Sequence, residues 1–386
     1  MDALKGVRVI EFCQIAAGPF AGMLLADLGA DVVKVESPEG DGMRQWPPLT
    51  GGYSENFASL NRNKRSVALN LKDPSDRDIA LRLCRGADVV IENFRPGVMD
   101  RLGLGYETLA SQNTGLVYCS ISAFGQEGAR SQEGGFDVTI QAIGGVMSVT
   151  GEPGGNPVKC GVPISDFAAG LYAAYSIASA LRQRANGGPG CHIDVPMLGA
   201  TLGIAALQVS EMLGNGRDPR PLGSAHPRNA PYQAFRCADG HFVMAAGNND
   251  LFRRACEAVD RPDLAGDPAF ATQTLRAANQ ERLRVELEKS FSTMTAKQCL
   301  SVMRDRGVPC APINTYSEAL ADPQVEYYGW LKPMELPGGG VTRSFSMPVR
   351  FNRQTPPVRR RPPELGEHNA DLLRELVSLA ETSPAK

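Results

Sequence analysis

The chain has 386 residues, of which 42% are hydrophobic and 21% charged, the composition of an ordinary globular protein of two or three domains. Its net charge of −2 excludes a broad basic surface for nucleic acid, and no apolar run is long enough to cross a membrane. Nine scattered cysteines without a CxxC pair indicate reduced thiols in a cytoplasmic compartment, and they argue against a zinc site or a disulfide framework.

The first 125 residues predict an open, doubly wound α/β sheet of Rossmann-like type. Strands and helices alternate at about 7–12, 19–28, 31–36, 74–86, 88–92, 105–112 and 116–121. This alternation is typical of a parallel sheet, whose ligands bind beyond the carboxyl ends of its strands. Since Gly18 is the one glycine between the first strand and its helix, the sequence disfavours a nicotinamide dinucleotide site. Small residues that lead into a helix can still accept a phosphate-bearing ligand.

Residues 134–151 combine paired glycines with a single carboxylate, Asp137, in an otherwise uncharged segment. The apolar spacing of Ile140, Ile143 and Val146 suits a packed helix. Asp137 has two interpretations. It can be a helix N-cap, because its oxygen accepts a backbone N–H. It can also be a nucleophile that forms an anhydride or a thioester with an acyl group.

The rest of the chain predicts a second, smaller domain. Elements of the first domain continue as a helix at 163–184, a strand at 192–195 and a helix at 196–214. Paired strands at 232–235 and 241–246 come next, with helices near 250–259, 273–290 and 295–306. We therefore predict a large α/β domain over 1–214 and a linker with a small α+β domain over 215–330. A proline-rich return linker and a final helix at about 363–382 make up 331–386 and complete the first domain.

Several short segments, taken in order, resemble the class III coenzyme A transferases. They are AAGP at 16–19, DLGADVVKVE at 27–36, NRNKRS at 61–66, ENFRPG at 92–97, GQ at 125–126, FD at 136–137 and GVPISD at 161–166. The family includes formyl-CoA transferase, succinyl-CoA:dicarboxylate CoA transferases and α-methylacyl-CoA racemases. The resemblance extends from about residue 4 to about residue 351, and it implies an interlinked, ring-like homodimer.

The resemblance also implies a mechanism and places the family's catalytic aspartate on Asp137. This carboxylate attacks the acyl-CoA thioester to form an aspartyl anhydride, and the released CoA thiolate then forms an aspartyl-CoA thioester. The acceptor acid finally receives the CoA. Acyl-CoA and a free carboxylic acid are thus the partners, and no metal or permanently bound cofactor is implied. Matching CoA-binding positions are Ile15, Ala16, Ala17, Lys72, Asn93, Phe94 and Arg101; on composition alone Lys72 and Arg101 read as solvated charges.

Among family members the chain looks most like the succinyl-CoA:glutarate transferases. Succinyl-CoA is therefore the expected donor and a dicarboxylate such as glutarate or itaconate the expected acceptor, with oxalate a weaker choice. A second carboxylate needs a fixed cation, because a buried unpaired carboxylate is unfavourable. The candidates are Arg44, His226 and Arg228. A glycine loop that covers the family's active site matches Gly247, Asn248 and Asn249, which otherwise read as a helix-start turn capped by Asn249.

Two other functions stay open at this point. An α-methylacyl-CoA racemase needs two acid–base groups around one carbon. Its pattern has a histidine directly before the shared aspartate, where this chain has Phe136, and the first histidine here is His192. A non-catalytic CoA-binding protein is the other alternative, against which Asp137 argues.

Overall fold

A computed structural model of the protein describes residues 2–382 and contains one large parallel sheet with smaller antiparallel ones. The strands are β1 Arg8–Phe12, β2 Asp31–Glu36, β3 Leu49–Thr50, β4 Tyr53–Ser54, β5 Lys64–Ala68, β6 Val89–Glu92, β7 Val117–Ser122, β8 Cys191–Pro196, β9 Tyr232–Cys237, β10 Gly240–Ala245, β11 Cys310–Pro312, β12 Leu331–Glu335 and β13 Val341–Phe345.

The α-helices surround these sheets. They are α1 Ala17–Asp27, α2 Glu55–Asn61, α3 Pro74–Arg85, α4 Val98–Arg101, α5 Tyr106–Ala110, α6 Asp137–Ile143, α7 Val146–Val149, α8 Ile164–Ala185, α9 Met197–Ile204, α10 Ala206–Asn215, α11 Asn249–Ala258, α12 Pro262–Gly266, α13 Gln273–Ala278, α14 Gln280–Phe291, α15 Ala296–Asp305, α16 Tyr316–Leu320, α17 Pro323–Tyr328 and α18 Asn369–Thr382. Short 3-10 turns occupy Gly42–Gln45, Pro268–Phe270 and Pro337–Gly339.

The contacts divide the chain into two compact units. The first comprises the described residues up to Val146, Lys159–Arg217 and those from Pro323 onward, and the second comprises Met147–Val158 and Asp218–Asp322. The sequence-based division differs in two places. It assigned 147–158 to the large domain, whereas the contacts group this stretch with the second unit. It also began the return linker at 331, although α17 already belongs to the first unit.

The first unit contains a parallel sheet with the order β5-β2-β1-β6-β7-β8. The chain moves outward from β1 through β2 to β5 and then crosses back to β6, so the order reverses between β1 and β6. This is the doubly wound arrangement, and it confirms the predicted parallel α/β sheet. β5 was not among the strands predicted from the sequence.

Both faces of this sheet are buried, as expected for parallel strands covered by helices. One face packs Val9 and its neighbours against α1 and α8, through residues such as Ala21 and Ile177. The opposite face packs Ile10 against α3 and α18, and Leu372 of α18 is buried there. The final helix begins at Asn369 rather than at 363, since two prolines and a glycine precede it.

Two predicted helices are divided in the structure. The helix expected over 196–214 is broken at Ala205 into α9 and α10, which differ in direction by 74°. No single helix within 2–382 is long and apolar enough to span a membrane, and this bent pair alone passes the length and composition test when its halves are combined. The helix expected over 273–290 is divided at Asn279 into α13 and α14.

The second unit packs helices against the antiparallel sheet β11-β10-β9. Its core contains an aromatic cluster in which Phe242 meets Phe291 edge-on at 4.9 Å and Phe235 lies 5.4 Å from Phe291. The predicted hairpin across 238–240 is present as β9 and β10. The stretch 331–362, predicted as a connection, contains the hairpin β12–β13 in the first unit.

Candidate active site

A cavity of about 410 Å³ opens at the carboxyl ends of β1, β6 and β7. Its position is the point where the strand order reverses, and open α/β sheets bind their ligands in this crevice. Its walls come from four loops and from the starts of α6, α8 and α9. The lining residues are Gln14, Ile15, Ala16, Ala17, Asn93, Phe94, Arg95, Pro96, Ile121, Ser122, Ala123, Glu133, Gly134, Gly135, Phe136, Thr139, Asp166 and Met197.

The turn after β1 is held in a strained conformation. Ile15 has a φ of 67°, which β-branched residues rarely adopt. Its backbone N–H donates to both carboxylate oxygens of Asp41, at 3.2 and 3.1 Å. Asp41 is 1% exposed and lies 3.0 Å from the buried Lys34 ammonium. Strain of this kind persists where its surroundings enforce it, and here a buried ion pair does so beside the cavity.

A second link joins the loops on either side of the strand reversal. The amide of Asn93 accepts from the backbone N–H of Gln14 and donates to the Gln14 carbonyl, each at 2.9 Å. Gly18 makes this approach feasible, because a Cβ there would lie 2.3 Å from the Cys13 Sγ. The helix α1 therefore starts close against both loops.

Buried charges support the cavity from within the sheet. The Glu11 carboxylate lies 2.8 Å from Lys64 Nζ and 3.3 Å from Lys34 Nζ, and all three side chains are fully buried. Burial lowers the pKa of Lys64 to about 8, although Glu11 opposes that shift. Burial also acts to lower the pKa of Lys34, but Glu11 and Asp41 outweigh it and leave that pKa above its usual range. Gly22 makes room for the cluster, since a Cβ there would collide with the Glu11 carboxylate.

Asp137 lies at the first turn of α6 with both carboxylate oxygens engaged. Oδ2 accepts from Gln141 Nε2 at 2.7 Å, and Oδ1 accepts from the Ser165 backbone N–H at 2.9 Å. Phe136, not Asp137, is the N-cap of α6. Asp137 instead satisfies a free N–H at the start of α8, where the N-cap residue Pro163 offers no side-chain acceptor. Asp137 therefore does accept a backbone N–H at a helix start, as the capping interpretation predicted, but the helix is α8 and not α6.

Asp166 lies one residue beyond that contact and belongs to the cavity wall. Burial, with a further contribution from the nearby Asp137, raises the pKa of its carboxyl to about 7. Within 2–382 no hydrogen bond or ion pair reaches this carboxylate, whereas Asp137 makes two. Sequence reasoning assigned Asp166 no role in the site. The available signal was its place at the end of the matching GVPISD segment.

The predicted CoA contacts separate into two groups. Ile15, Ala16, Ala17, Asn93 and Phe94 all line the cavity. Lys72 and Arg101 are exposed and are not among its lining residues. The structure thus brings the backbone turn and the ENFRPG loop together, and the two predicted phosphate ligands stay outside.

Arg44 has a different environment from the one predicted. Its Nε and Nη2 donate to the two Glu36 carboxylate oxygens at 2.8 and 2.6 Å, and its Nη1 donates to the Pro363 carbonyl at 3.0 Å. The guanidinium also lies 3.8 Å from the centre of the Phe57 ring. Because Glu36 occupies the bidentate edge of the guanidinium, the prediction that Arg44 binds a substrate carboxylate loses its basis.

The remaining predicted residues belong to the second unit. His226 Nδ1 accepts from the backbone N–H groups of Arg228 and Asn229, both at 3.1 Å. Asn248, rather than Asn249, caps α11, accepting from the Leu251 N–H at 2.8 Å. His226 and Asn248 thus have structural roles inside that unit.

Arg276, which sequence reasoning missed, ties the Gly247–Asn249 loop to its surroundings. Its guanidinium is fully buried and donates to the Gly247 carbonyl and to Asn249 Oδ1, each at 2.9 Å. Further bonds reach the carbonyls of Ala230 and Phe270. Burial lowers its pKa from the usual arginine value. The loop is therefore anchored from beneath by a cation that local sequence patterns do not reveal.

Comparison with known proteins agrees with this geometry. Residues 4–369 match the family described as CoA-transferase family III. Succinate–glutarate CoA-transferase of Agrobacterium fabrum is 40% identical over 98% of this chain and 97% of its own, and acetyl-CoA:oxalate CoA-transferase of Acetobacter aceti is 39% identical over 97% and 95%. A solved CAIB/BAIF family protein from Brucella suis is 40% identical, with a TM-score of 0.86 over 97% of this chain and 99% of that one. With the family model and these relatives both covering almost the whole chain, the protein belongs to CoA-transferase family III, as the sequence resemblance predicted.

Proposed function

We propose that this CoA transferase moves coenzyme A from succinyl-CoA to a small dicarboxylate, glutarate or itaconate being the first choices, through acyl intermediates on a cavity aspartate. One observation supports the proposal most strongly. An accessible carboxylate, Asp166, is on the wall of a cavity at the strand reversal, where a phosphate-bearing ligand is expected. The A. fabrum relative named for glutarate transfer supports the choice of substrates.

The nucleophile that we favour is Asp166 rather than Asp137. A carboxylate attacks best when its oxygens are free and poorly solvated, and those of Asp137 are bonded to Gln141 and to the start of α8. A pKa of about 7 for Asp166 gives a more basic carboxylate that is still ionised in part at neutral pH. Asp137 then acts as a positioning residue, because it holds the backbone next to Asp166 and raises the pKa of its carboxyl.

The steps follow from this assignment. The carboxylate attacks the thioester carbonyl, the C–S bond breaks, and CoA leaves as a thiolate with an aspartyl anhydride behind it. The thiolate attacks the aspartyl carbonyl and releases the donor acid, leaving aspartyl-CoA. The acceptor carboxylate attacks that thioester to form a new anhydride, and the thiolate then takes the acceptor acyl group. Each step exchanges one acyl bond for another, and the aspartate is regenerated.

For CoA itself, we propose that Ile15, Ala16, Ala17, Asn93 and Phe94 line the path of the pantetheine arm. The support for this proposal is that all five residues line the cavity. Lys72 and Arg101 remain proposals for phosphate contacts at the surface. His226, Arg228 and the loop Gly247–Asn249 remain proposals for substrate contacts, supported only by the family resemblance.

The protein is proposed to act as an interlinked homodimer. The support is a set of large apolar side chains left exposed on α8 and α10, where Leu171, Tyr175, Leu207 and Leu213 are 54%, 71%, 63% and 77% exposed. Clusters of exposed apolar side chains mark protein interfaces. A cytoplasmic location stays a prediction from the nine cysteines, all of which are free thiols.

The racemase alternative has less support. Racemisation needs two acid–base groups around one carbon, and among the described residues that line the cavity there is no histidine. The relatives compared above are both named as CoA transferases.

One experiment separates these functions. The protein is incubated with succinyl-CoA and glutarate in D2O, and the products are followed by mass spectrometry. Formation of glutaryl-CoA without deuterium at the α carbon supports transfer, and α exchange without transfer would reject it.

Asp166→Asn should lose at least about 1,000-fold in kcat, as expected when a nucleophile is removed. Asp78→Asn, at an exposed ion pair with Arg82, is the control and should be unaffected.

A further inference from the structure

A dicarboxylate acceptor raises a problem that the predicted residues do not solve. Its reacting carboxylate must reach Asp166, and its second carboxylate then enters the same cavity. A carboxylate removed from water without a partner is strongly disfavoured, so the cavity needs a cation. Arg44 is engaged by Glu36. His226 and Arg228 belong to the second unit and are not among the lining residues.

Arg95 is the one basic residue that the described part of the chain contributes to the cavity wall. It follows β6 in the ENFRPG loop, whose Asn93, Phe94 and Pro96 line the cavity with it. Its side chain is exposed, and no ion pair within 2–382 engages it. Glu133 also lines the cavity, but its carboxylate is bonded to Arg130 at 3.1 and 2.6 Å. The Arg95 donors are therefore available to a ligand.

The guanidinium of Arg95 lies close to the backbone of Gly134 at this wall. A Cβ on Gly134 would lie 2.8 Å from Arg95 Nη2, 3.2 Å from Cζ and 3.3 Å from Nε. The guanidinium thus lies directly over the backbone of Gly134, in space that any other residue would fill. Gly134 opens the segment that leads to Asp137. Arg95 and Asp166 both line this cavity.

We propose that Arg95 binds the second carboxylate of the acceptor and thereby selects dicarboxylates over monocarboxylates; this inference rests on the proposed CoA transfer. A guanidinium matches a carboxylate with two parallel N–H···O bonds, which lysine cannot reproduce. Asp166 and Arg95 then hold the two ends of one acid, with Asp166 at the acyl-transfer end and Arg95 at the other. Phosphate groups of CoA share this chemistry, so the test must separate the two anions.

The test compares kcat/KM for glutarate with kcat/KM for valerate, its monocarboxylate counterpart, at a saturating concentration of one donor. Arg95→Gln should lower the glutarate value by about 10- to 100-fold, as expected for a lost charged bidentate contact, and leave the valerate value within about 3-fold. Arg95→Lys should recover only part of the preference. Gly134→Ala should lower it too, because the added methyl displaces the guanidinium. The control Arg82→Gln removes an exposed arginine that pairs with Asp78 and does not line the cavity, and it should leave the preference intact.

Each other outcome has a definite meaning. An unchanged preference for glutarate in Arg95→Gln overturns the inference while the transferase function stands. Equal losses for both acids with weaker CoA binding in calorimetry also overturn it, and they assign Arg95 to a CoA phosphate. A wild-type enzyme that uses both acids equally shows that the second-carboxylate site does not exist. Retained valerate turnover shows that a variant is folded. Failure of the wild-type protein to transfer CoA to any acid rejects the proposed function instead.

Discussion

At the scale of single residues, Asp137 and Asp166 show how surroundings give two aspartates different chemistry. Asp137 makes two hydrogen bonds, and one of them caps the start of α8. Asp166 faces the cavity, and burial together with Asp137 raises the pKa of its carboxyl to about 7. Asp137 Oδ1 accepts from the backbone N–H of Ser165, the residue directly before Asp166. Asp137 thus fixes the backbone beside Asp166, while Asp166 keeps its carboxylate free of hydrogen bonds from the described residues.

This difference predicts a pH dependence. A protonated carboxyl cannot attack a thioester, so kcat/KM for succinyl-CoA should fall as the pH decreases through about 7. Asp137→Asn removes a like charge that raises the pKa of Asp166, and the acid limb should therefore move to lower pH. Stopped assays between pH 5 and pH 9 measure both profiles. A limb that does not move in Asp137→Asn would contradict the proposed coupling of the two carboxylates.

At the scale of elements, the turn after β1 depends on a charge from the segment after β2. Asp41 accepts from the strained Ile15 and neutralises Lys34 in a buried setting. Asp41→Ala should reduce the free energy of unfolding by about 3–5 kcal/mol, because the buried Lys34 and Lys64 are then left to share the carboxylate of Glu11. The same change should raise KM for the acyl-CoA, since the turn lines the cavity. Denaturant unfolding and initial rates measure these effects, with the exposed Glu39→Ala as the control. Unchanged stability and KM in Asp41→Ala would show that the turn after β1 keeps its conformation without Asp41, and would contradict the prediction.

The elements also show which parts of the fold the sequence could predict. α3 carried local signals: Asp73 caps it through the Ser75 N–H at 2.8 Å, and Pro74 occupies its first position. β5 carried no such signals. Its buried lysine, Lys64, pairs with Glu11, which lies 53 residues away, and also donates to the Pro19 carbonyl and to Asn61. Local pattern cannot reveal that pairing. The helix predicted over 196–214 was only partly right. Gly203 lies two residues before the bend at Ala205, but a single glycine inside a helical pattern does not by itself predict a break.

The same limit applies to the candidate site. The loops after β1 and β6 were predicted at the strand ends, because the rule for open α/β sheets depends on topology alone. The choice between Asp137 and Asp166 depended on a contact across 28 residues, from Asp137 to the Ser165 N–H. The prediction of a cation in the cavity would have required knowing that Arg95 lies close to the backbone of Gly134, 39 residues along the chain. Neither feature has a local sequence signature.

At the scale of the whole molecule, the exposed apolar side chains of α8 and α10 predict self-association. Leu207→Asp combined with Leu213→Asp should prevent assembly of the proposed dimer, because charges would replace two strongly exposed leucines of the proposed interface. Light scattering after size-exclusion chromatography measures the mass. Leu275→Asp in the second unit is the matched control and should leave the mass unchanged. A wild-type protein that is monomeric at micromolar concentration would reject the proposal.

The central claim, that the acyl group passes through Asp166, can be tested by trapping. Hydroxylamine converts an aspartyl anhydride or thioester into a stable hydroxamate, and trypsin then separates the two aspartates, since residues 131–159 and 160–182 form different peptides. With succinyl-CoA present, mass spectrometry should locate the hydroxamate on Asp166 within 160–182, and it should be absent without the thioester. A hydroxamate on Asp137, or full turnover by Asp166→Ala, would contradict the account.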